Sequence, residues 1–346
     1  MTNVVAGGAG FFGELLMHKL LAQGKPVLCF DLNPPSFTHD NLTVVQGDIR
    51  DRSAVKRALK GAKVVYHNIA QVPVAKNDAL FKSVNEAGTQ ILLEECLAAG
   101  VHKVVYTSSS AVFGIPEKNP VKAQDSPKPD EAYGRTKLVG EQMCQTFAEN
   151  GLNYAIVRPR TVLGHGRLGI FQILFEWIYQ GKNIPVLGQG DNLYQFVYGD
   201  DLADACILAA QQKGSDIYQV GAREFGTMRE VLEHLCEHAG TSSRVRSVPQ
   251  GLAENSMNIT SAMGLSPLGA YHALMYGRSM YFDMAETEAS LGFIPKYSNN
   301  KMFTETYDWY VANRDAILSG QLAGSKHQSA MKQKVLAMVP YLLGGR

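Results

Sequence analysis

Apolar positions fall into short runs over the first hundred residues, and stretches of helical spacing separate those runs. Asn3–Ala6, Val27–Phe30, Leu42–Gln46, Lys63–His67 and Lys103–Thr107 are β-prone runs of four or five residues. Between them, Glu14–Gln23, Ser53–Leu59 and Leu80–Ala99 carry apolar side chains at helical spacing, the first stopping at Gly24 and the last at Gly100. A helix through Tyr133 and Lys137 to Glu149, then a strand over Asn153–Arg158, continue the order. This alternation predicts an α/β fold: a doubly wound parallel sheet with helices on both faces and right-handed crossovers. From about Leu163 the order becomes irregular. Helices are expected over Ile170–Gln180, Asp200–Gln211, Thr227–His238 and Ala285–Leu291, with Gly and Pro denser between them.

Composition narrows the class. The chain has 346 residues, 45% hydrophobic and 19% charged, as expected of a soluble globular protein larger than one small domain. Thirty-three basic against thirty-two acidic residues leave a net charge of +1, which counts against nucleic-acid binding. No apolar run is long enough to span a membrane, and no basic-then-apolar leader opens the chain. Five scattered cysteines form no C-x-x-C, so they read as small buried hydrophobes in a reducing compartment, and the expected location is cytoplasmic. His234 and His238 lack the H-E-x-x-H order, so no metal site is expected.

Two motifs carry chemistry. Gly7, Gly10 and Gly13 stand at G-x-x-G-x-x-G spacing between the first strand and the first helix, with Phe11 and Phe12 at the helix start. Glycine allows the tight turn and a close backbone approach to a pyrophosphate, and the helix N-terminus offers it N–H groups and a positive dipole end. Asp31, closing the second strand, suits the adenosine ribose hydroxyls and repels a 2′-phosphate, so NAD is favoured over NADP. Further on, Tyr133 and Lys137 lie four residues apart on one helix face. A neighbouring ammonium is expected to lower the phenol's pKa, preparing it to exchange a proton with a carbinol while hydride moves to or from the cofactor. Upstream, Thr107-Ser108-Ser109-Ser110 close the fifth strand, at the sheet edge where ligands sit.

In this order the elements resemble the extended short-chain dehydrogenase/reductase family, in its NAD-dependent epimerase/dehydratase branch, over roughly residues 1–310. The resemblance is carried by the glycine turn, Asp31, Gly47-Asp48-Ile49, His67–Ala70, Asn85 with Gly88-Thr89, Ser108–Gly114, Tyr133/Lys137, Arg158-Pro159, Phe196–Asp201 and Leu291–Pro295. It implies NAD as cofactor, with Asp48 and Ile49 beside the adenine, Ile69, Ala70 and Asn85 lining the cofactor and Pro159 near the nicotinamide. The catalytic hydroxyl falls on Ser109, with Ser110 as runner-up. Ser110-Ala111 replace the acid–base pair of the dehydratases, so water loss is not expected. Tyr194-Gln195 stand where nucleotide-sugar enzymes often carry a diphosphate-gripping arginine; Arg278 could supply that contact or form a structural ion pair. Met280–Asp283 is instead similar to the 3β-hydroxysteroid dehydrogenase-like branch.

The expected function is NAD-dependent epimerisation or oxidoreduction at a secondary alcohol, first of a sugar nucleotide or related sugar. The alternative is a steroid or lipid alcohol, and a third reading is a non-catalytic NAD sensor. The expected organisation is an NAD-binding Rossmann domain over 1–162, rejoined by parts of 190–225, then a smaller interleaved substrate-binding part mainly over 163–315. Family members pair as homodimers through a four-helix bundle, to which Leu92, Leu93, Cys96, Val139 and Met143 could contribute. The tail over 316–346 is basic (Lys326, Lys332, Lys334, Arg346), with Met331, Val335, Met338, Val339 and Leu342 at helical spacing. It is expected to pack on its own domain or a dimer mate, or to rest weakly on an anionic membrane surface.

Overall fold

The computed structural model describes residues 2–71, 78–169, 171–249 and 277–320. The basic amphipathic run from Lys326 to Arg346 lies outside the described residues. Strands β1 (Thr2–Ala6), β2 (Val27–Asp31), β3 (Leu42–Gln46), β4 (Ala62–His67), β5 (Lys103–Thr107) and β6 (Tyr154–Pro159) form at the apolar runs. Between them come α1 (Phe11–Ala22), α2 (Arg52–Ala58), α3 (Asp78–Phe81), α4 (Thr89–Ala98) and α5 (Ala132–Ala148). Then follow β7 (Thr161–Leu163), α6 (Phe171–Tyr179), β8 (Ile184–Leu187), β9 (Phe196–Tyr198), α7 (Gly199–Ala209), β10 (Asp216–Val220), α8 (Met228–Ala239), β11 (Val245–Val248), α9 (Ala285–Leu291) and α10 (Asn299–Leu318).

Seven strands make one sheet in the order β10-β6-β5-β4-β1-β2-β3, every pair parallel. The order reverses at β1, so β1 and β4 flank the switch point where open α/β sheets receive ligands. Alternate side chains feed two cores. Val5, Cys29, Tyr66, Val105 and Val157 pack on one face with α1 and α7. Val4, Leu28, Val65, Val104 and Ile156 pack on the other with residues of α2, α4 and α5. A third, aromatic core gathers Phe171, Phe175, Phe196, Phe303, Tyr307 and Tyr310 from the second half of the chain.

Two elements differ from expectation. The single helix expected over Leu80–Ala99 is divided: a π-helical stretch, Lys82–Gly88, joins α3 to α4. Such a widened turn re-aims side chains at functional sites. Here Gly88 abuts Ile49, whose Cγ2 would lie 2.6 Å from an added Cβ. The long helix α10 was not expected. It begins at Ser298, whose side chain accepts from Lys301 N, and buries Met302, Phe303, Tyr307 and Tyr310 in the aromatic core.

Candidate active site

Because the sheet is wholly parallel, the segments that follow β1, β4, β5 and β6 meet at one edge. After β1, Gly7 has φ +82°, which favours glycine, and an added Cβ would press at 3.0 Å on the Asn68–Ile69 backbone behind it. At Gly13 a Cβ would lie 2.1 Å from the Gly7 carbonyl oxygen, so α1 can approach the turn only without one. At Gly10 a Cβ would meet only that carbonyl, at 3.3 Å. Gly10 is also the N-cap of α1, and no side chain caps it. The first-turn N–H groups thus have no intrahelical or side-chain partner, which fits a bound pyrophosphate. Asp31 accepts from Ala9 N and Asn33 N, each at 3.1 Å, so the carboxylate closing β2 is tied to the glycine turn. These residues fit NAD.

Lining is less uniform than expected. Ile69, Ala70, Phe11 and Phe12 are partly exposed around the turn. Asp48 is held by Arg50, which grips it through Nε and Nη2 and keeps the carboxyl below its usual range. The Ile49 side chain, expected beside the adenine, is buried at 3% and packs under Gly88. Asn85, expected at the cofactor, is buried too. Its amide accepts from Gln71 N (2.7 Å) and donates to Gln71 O and Thr136 Oγ1 (both 3.1 Å), so it clamps the segment after β4 onto α5. Pro159 ends β6, buried.

At the ends of β5 and α5 the expected constellation assembles. Ser109 caps a 3₁₀ turn, Ser110–Phe113, accepting from Ala111 N at 3.1 Å, and its hydroxyl acts on the neighbouring Tyr133 phenol to favour the ionised form. Glu131 caps α5, accepting from Tyr133 N and Gly134 N at 2.8 and 2.7 Å. Lys137 is 3% exposed, and its Nζ donates to Thr107 O at 2.8 Å, 6.0 Å from the Tyr133 ring centre. Burial lowers the Lys137 ammonium to about 8, against the pull of the Glu141 charge. The expected lowering of Tyr133 is not found. Burial pushes the phenol up to about 12, with Arg167 and Ser109 pulling the other way. The Lys137 ammonium is directed at the Thr107 carbonyl instead.

Sequence reasoning missed a buried network beneath this site. Glu141, one turn beyond Lys137, accepts from Arg158 Nε (2.9 Å), Arg158 Nη2 (2.6 Å) and Ser108 Oγ (2.5 Å). The spacing Tyr133, Lys137, Glu141 was a readable signal, since all three share a helix face. Arg160 was also missed. It is 1% exposed, and its Nη1 donates to Ser110 Oγ at 2.7 Å. Ser110 and Tyr194, both expected at the substrate, are buried around it. Tyr194 hydrogen-bonds Thr161 at 2.9 Å and lies 4.6 Å under the guanidinium. Gln195 is structural, donating to Ala222 O and accepting from Phe282 N. Arg278 is exposed at the turn whose carbonyl accepts from Asn192. Among the described residues no metal cluster occurs, and no helix is long and apolar enough to cross a membrane.

Comparison with known proteins agrees with this geometry. The family model described as "NAD dependent epimerase/dehydratase family" matches residues 3–221. The chain is 55% identical over 343 residues to the uncharacterized protein y4nG of Sinorhizobium fredii, covering 99% of this chain and 86% of that one. It is 28% identical over 338 residues to the 3 beta-hydroxysteroid dehydrogenase/Delta 5-->4-isomerase of Mycobacterium tuberculosis, covering 89% and 90%. It is 33% identical over 219 residues to human sterol-4-alpha-carboxylate 3-dehydrogenase, decarboxylating, covering 61% of this chain and only 58% of that enzyme. Among solved structures, MoeE5 in complex with UDP-glucuronic acid and NAD superposes with a TM-score of 0.74 at 26% identity, covering 90% of this chain and all of that one. The chain therefore belongs to the NAD-dependent epimerase/dehydratase family of enzymes, and its cofactor is NAD.

Proposed function

We propose that the protein is an NAD-dependent dehydrogenase of a secondary alcohol, with Ser109, Tyr133 and Lys137 as its catalytic residues. The observation that carries this is the gathering of Ser109, Tyr133 and the buried Lys137, its Nζ 6.0 Å from the Tyr133 ring centre, on the sheet edge that also presents the glycine turn. NAD, when bound, supplies the hydride acceptor and a positive ring. Ser109 holds the carbinol oxygen, and Tyr133 takes its proton. Lys137 holds the cofactor ribose and stabilises the phenolate.

A dehydrogenase is favoured over a sugar-nucleotide epimerase by the substrate side. The position expected to grip a diphosphate holds Tyr194, which is buried and hydrogen-bonded to Thr161. The steroid dehydrogenase of M. tuberculosis also matches along nearly the whole chain. An epimerase remains the second reading, supported by the likeness to MoeE5 with its UDP-glucuronic acid. Cofactor bookkeeping separates them. With steroid, lipid and sugar-nucleotide alcohols as substrates, a dehydrogenase accumulates one NADH per carbinol oxidised, whereas an epimerase inverts the carbinol with no net NADH. Tyr133→Phe should lose on the order of 10²-fold or more in rate with NAD binding intact; retention of a tenth of the rate overturns the acid–base assignment.

A homodimer and a cytoplasmic location belong to the same proposal. Leu92, Leu93 and Cys96 are buried in the sheet-side core. Val139 and Met143 instead line a groove of about 280 Å³ with Gln142 and Phe147, which suits them to a partner's helices. Light scattering at micromolar concentration should give twice the chain mass.

A further inference from the structure

Arg158 and Arg160 stand two residues apart at the carboxyl end of β6, 3% and 1% exposed. Arg158 is fully engaged. Nε and Nη2 form a fork on the Glu141 carboxylate at 2.9 and 2.6 Å, and Nη1 donates to Ala123 O at 3.1 Å. Arg160 repeats half of that pattern. Its Nη1 donates to Ser110 Oγ at 2.7 Å and to Met280 Sδ at 3.3 Å, and its guanidinium lies 4.6 Å from the Tyr194 ring centre and 5.8 Å from that of Phe282. Its Nε and Nη2, the atoms that grip a carboxylate in Arg158, are buried without a hydrogen-bond partner.

A buried guanidinium is unfavourable unless paired. Here the fold holds the charge in place with a serine and two aromatic faces, while no acidic side chain among the described residues opposes it. The Nε–H and Nη2–H bonds are parallel and coplanar, which matches the two oxygens of one carboxylate. The place matters as much as the shape. Ser110 adjoins Ser109, the proposed catalytic hydroxyl, and neighbouring Cα atoms are about 3.8 Å apart. Arg160 is thus tied to the segment that carries the candidate catalytic hydroxyl.

We infer that the substrate carries a carboxylate close to its carbinol carbon and that Arg160 is the residue that selects it. This rests on the dehydrogenase reading above and gives it a substrate class. A neutral alcohol leaves two buried N–H groups unpaired, the kind of mismatch by which a polar site rejects an analogue most strongly.

The test uses full-length, NAD-loaded protein containing arginine labelled with nitrogen-15, titrated with cyclohexanecarboxylate, cyclohexanecarboxamide and inorganic phosphate. The Arg158 Nε–H resonance, already bound to Glu141, serves as internal reference. Cyclohexanecarboxylate should move the Arg160 Nε–H resonance downfield toward it, and the carboxamide should bind about 30-fold more weakly or worse. Arg160→Lys keeps a buried cation without the fork, and should weaken the carboxylate by a similar factor with NAD affinity unchanged. Equal binding of carboxylate and carboxamide, a stationary Arg160 resonance, or phosphate binding as tightly as the carboxylate would each overturn the proposal. None of these readouts needs hydride transfer. Carboxylate binding that depends on Arg160 in a protein that oxidises no alcohol would sink the dehydrogenase reading alone. Turnover of neutral alcohols without carboxylate binding would sink the carboxylate alone.

Discussion

Replacing Lys137 by methionine should make the protein more stable and inactive. Lys137 is 3% exposed, its ammonium touches one carbonyl, and burial lowers it from 10.5 to about 8. The folded protein therefore binds this proton less tightly than the unfolded chain. Below about pH 8 the full penalty is present, and the fall from 10.5 to about 8 corresponds to about 3 kcal/mol. Between about 8 and 10.5 the unfolded chain carries more of the proton, so wild-type stability rises with pH, and above 10.5 the penalty is gone. Methionine fills a similar volume without the charge but abandons the Thr107 carbonyl, which costs about 1 kcal/mol. The net gain at pH 7 is about 2 kcal/mol, or roughly 4–8 °C in melting temperature at about 2–4 °C per kcal/mol. Paired thermal melts of the cofactor-free proteins check it, with the difference expected to shrink through the interval from 8 to 10.5. A variant that melts below wild type at pH 7, or a pH-independent difference, would refute the argument that the fold holds a desolvated ammonium here.

Three further substitutions test the surroundings. Gly13→Ala sets a Cβ 2.1 Å from the Gly7 oxygen and 2.7 Å from the Gly8 Cα, both backbone, so NAD affinity measured by fluorescence titration should fall by more than about tenfold, with roughly 1–3 kcal/mol of overpacking strain. Asp31→Ala removes the charge that repels a 2′-phosphate, and the NAD to NADP preference should fall about tenfold or more; an unchanged ratio would place discrimination elsewhere. Glu141→Gln leaves Arg158 buried without its counter-ion and should cost about 3–5 kcal/mol in denaturant unfolding, while Glu141→Gln with Arg158→Met should recover most of it.

Much of the sheet could be read from the chain because a parallel strand covered on both faces is a plain apolar run. Lys103–Thr107, largely buried along its length, forms a strand with the expected bounds, whereas the edge strand Leu42–Gln46 was legible from its β-branched and apolar residues although it is largely exposed. The second half lacks that regularity. β8 and β11 have four residues each and pair only with one another, and Pro185, Arg246 and Ser247 interrupt their apolar pattern. Helix α10 hides differently. Its buried face mixes Asn299, Thr306 and tyrosines with Met302 and Phe303, and it becomes a core face only when Phe171 and Phe196 arrive from elsewhere in the chain. The π-helical stretch leaves almost no trace in side-chain periodicity; it follows from the hydrogen-bond register around Asn85 and from Gly88 meeting Ile49.

The candidate site divides along the same line. Residues placed by where a strand or helix ends could be located from the sequence: the glycine turn, Asp31, Ser109, Tyr133 and Lys137 lie where the chain order put them, and their roles are those proposed above. Residues whose role depends on their counter-ion could not. Arg158 and Arg160 are the same residue type two positions apart at the end of one strand, and in the chain they look alike. Glu141 on α5 neutralises the first. The second is enclosed by Tyr194, Met280 and Phe282, which give packing and no charge. Lys137 and Arg167 add positive charge around Tyr133, and NAD brings a positive ring. These charges pull toward the Tyr133 phenolate, yet burial outweighs them and leaves the phenol raised to about 12. A substrate carboxylate on Arg160 would supply the negative charge that no acidic side chain among the described residues brings to it.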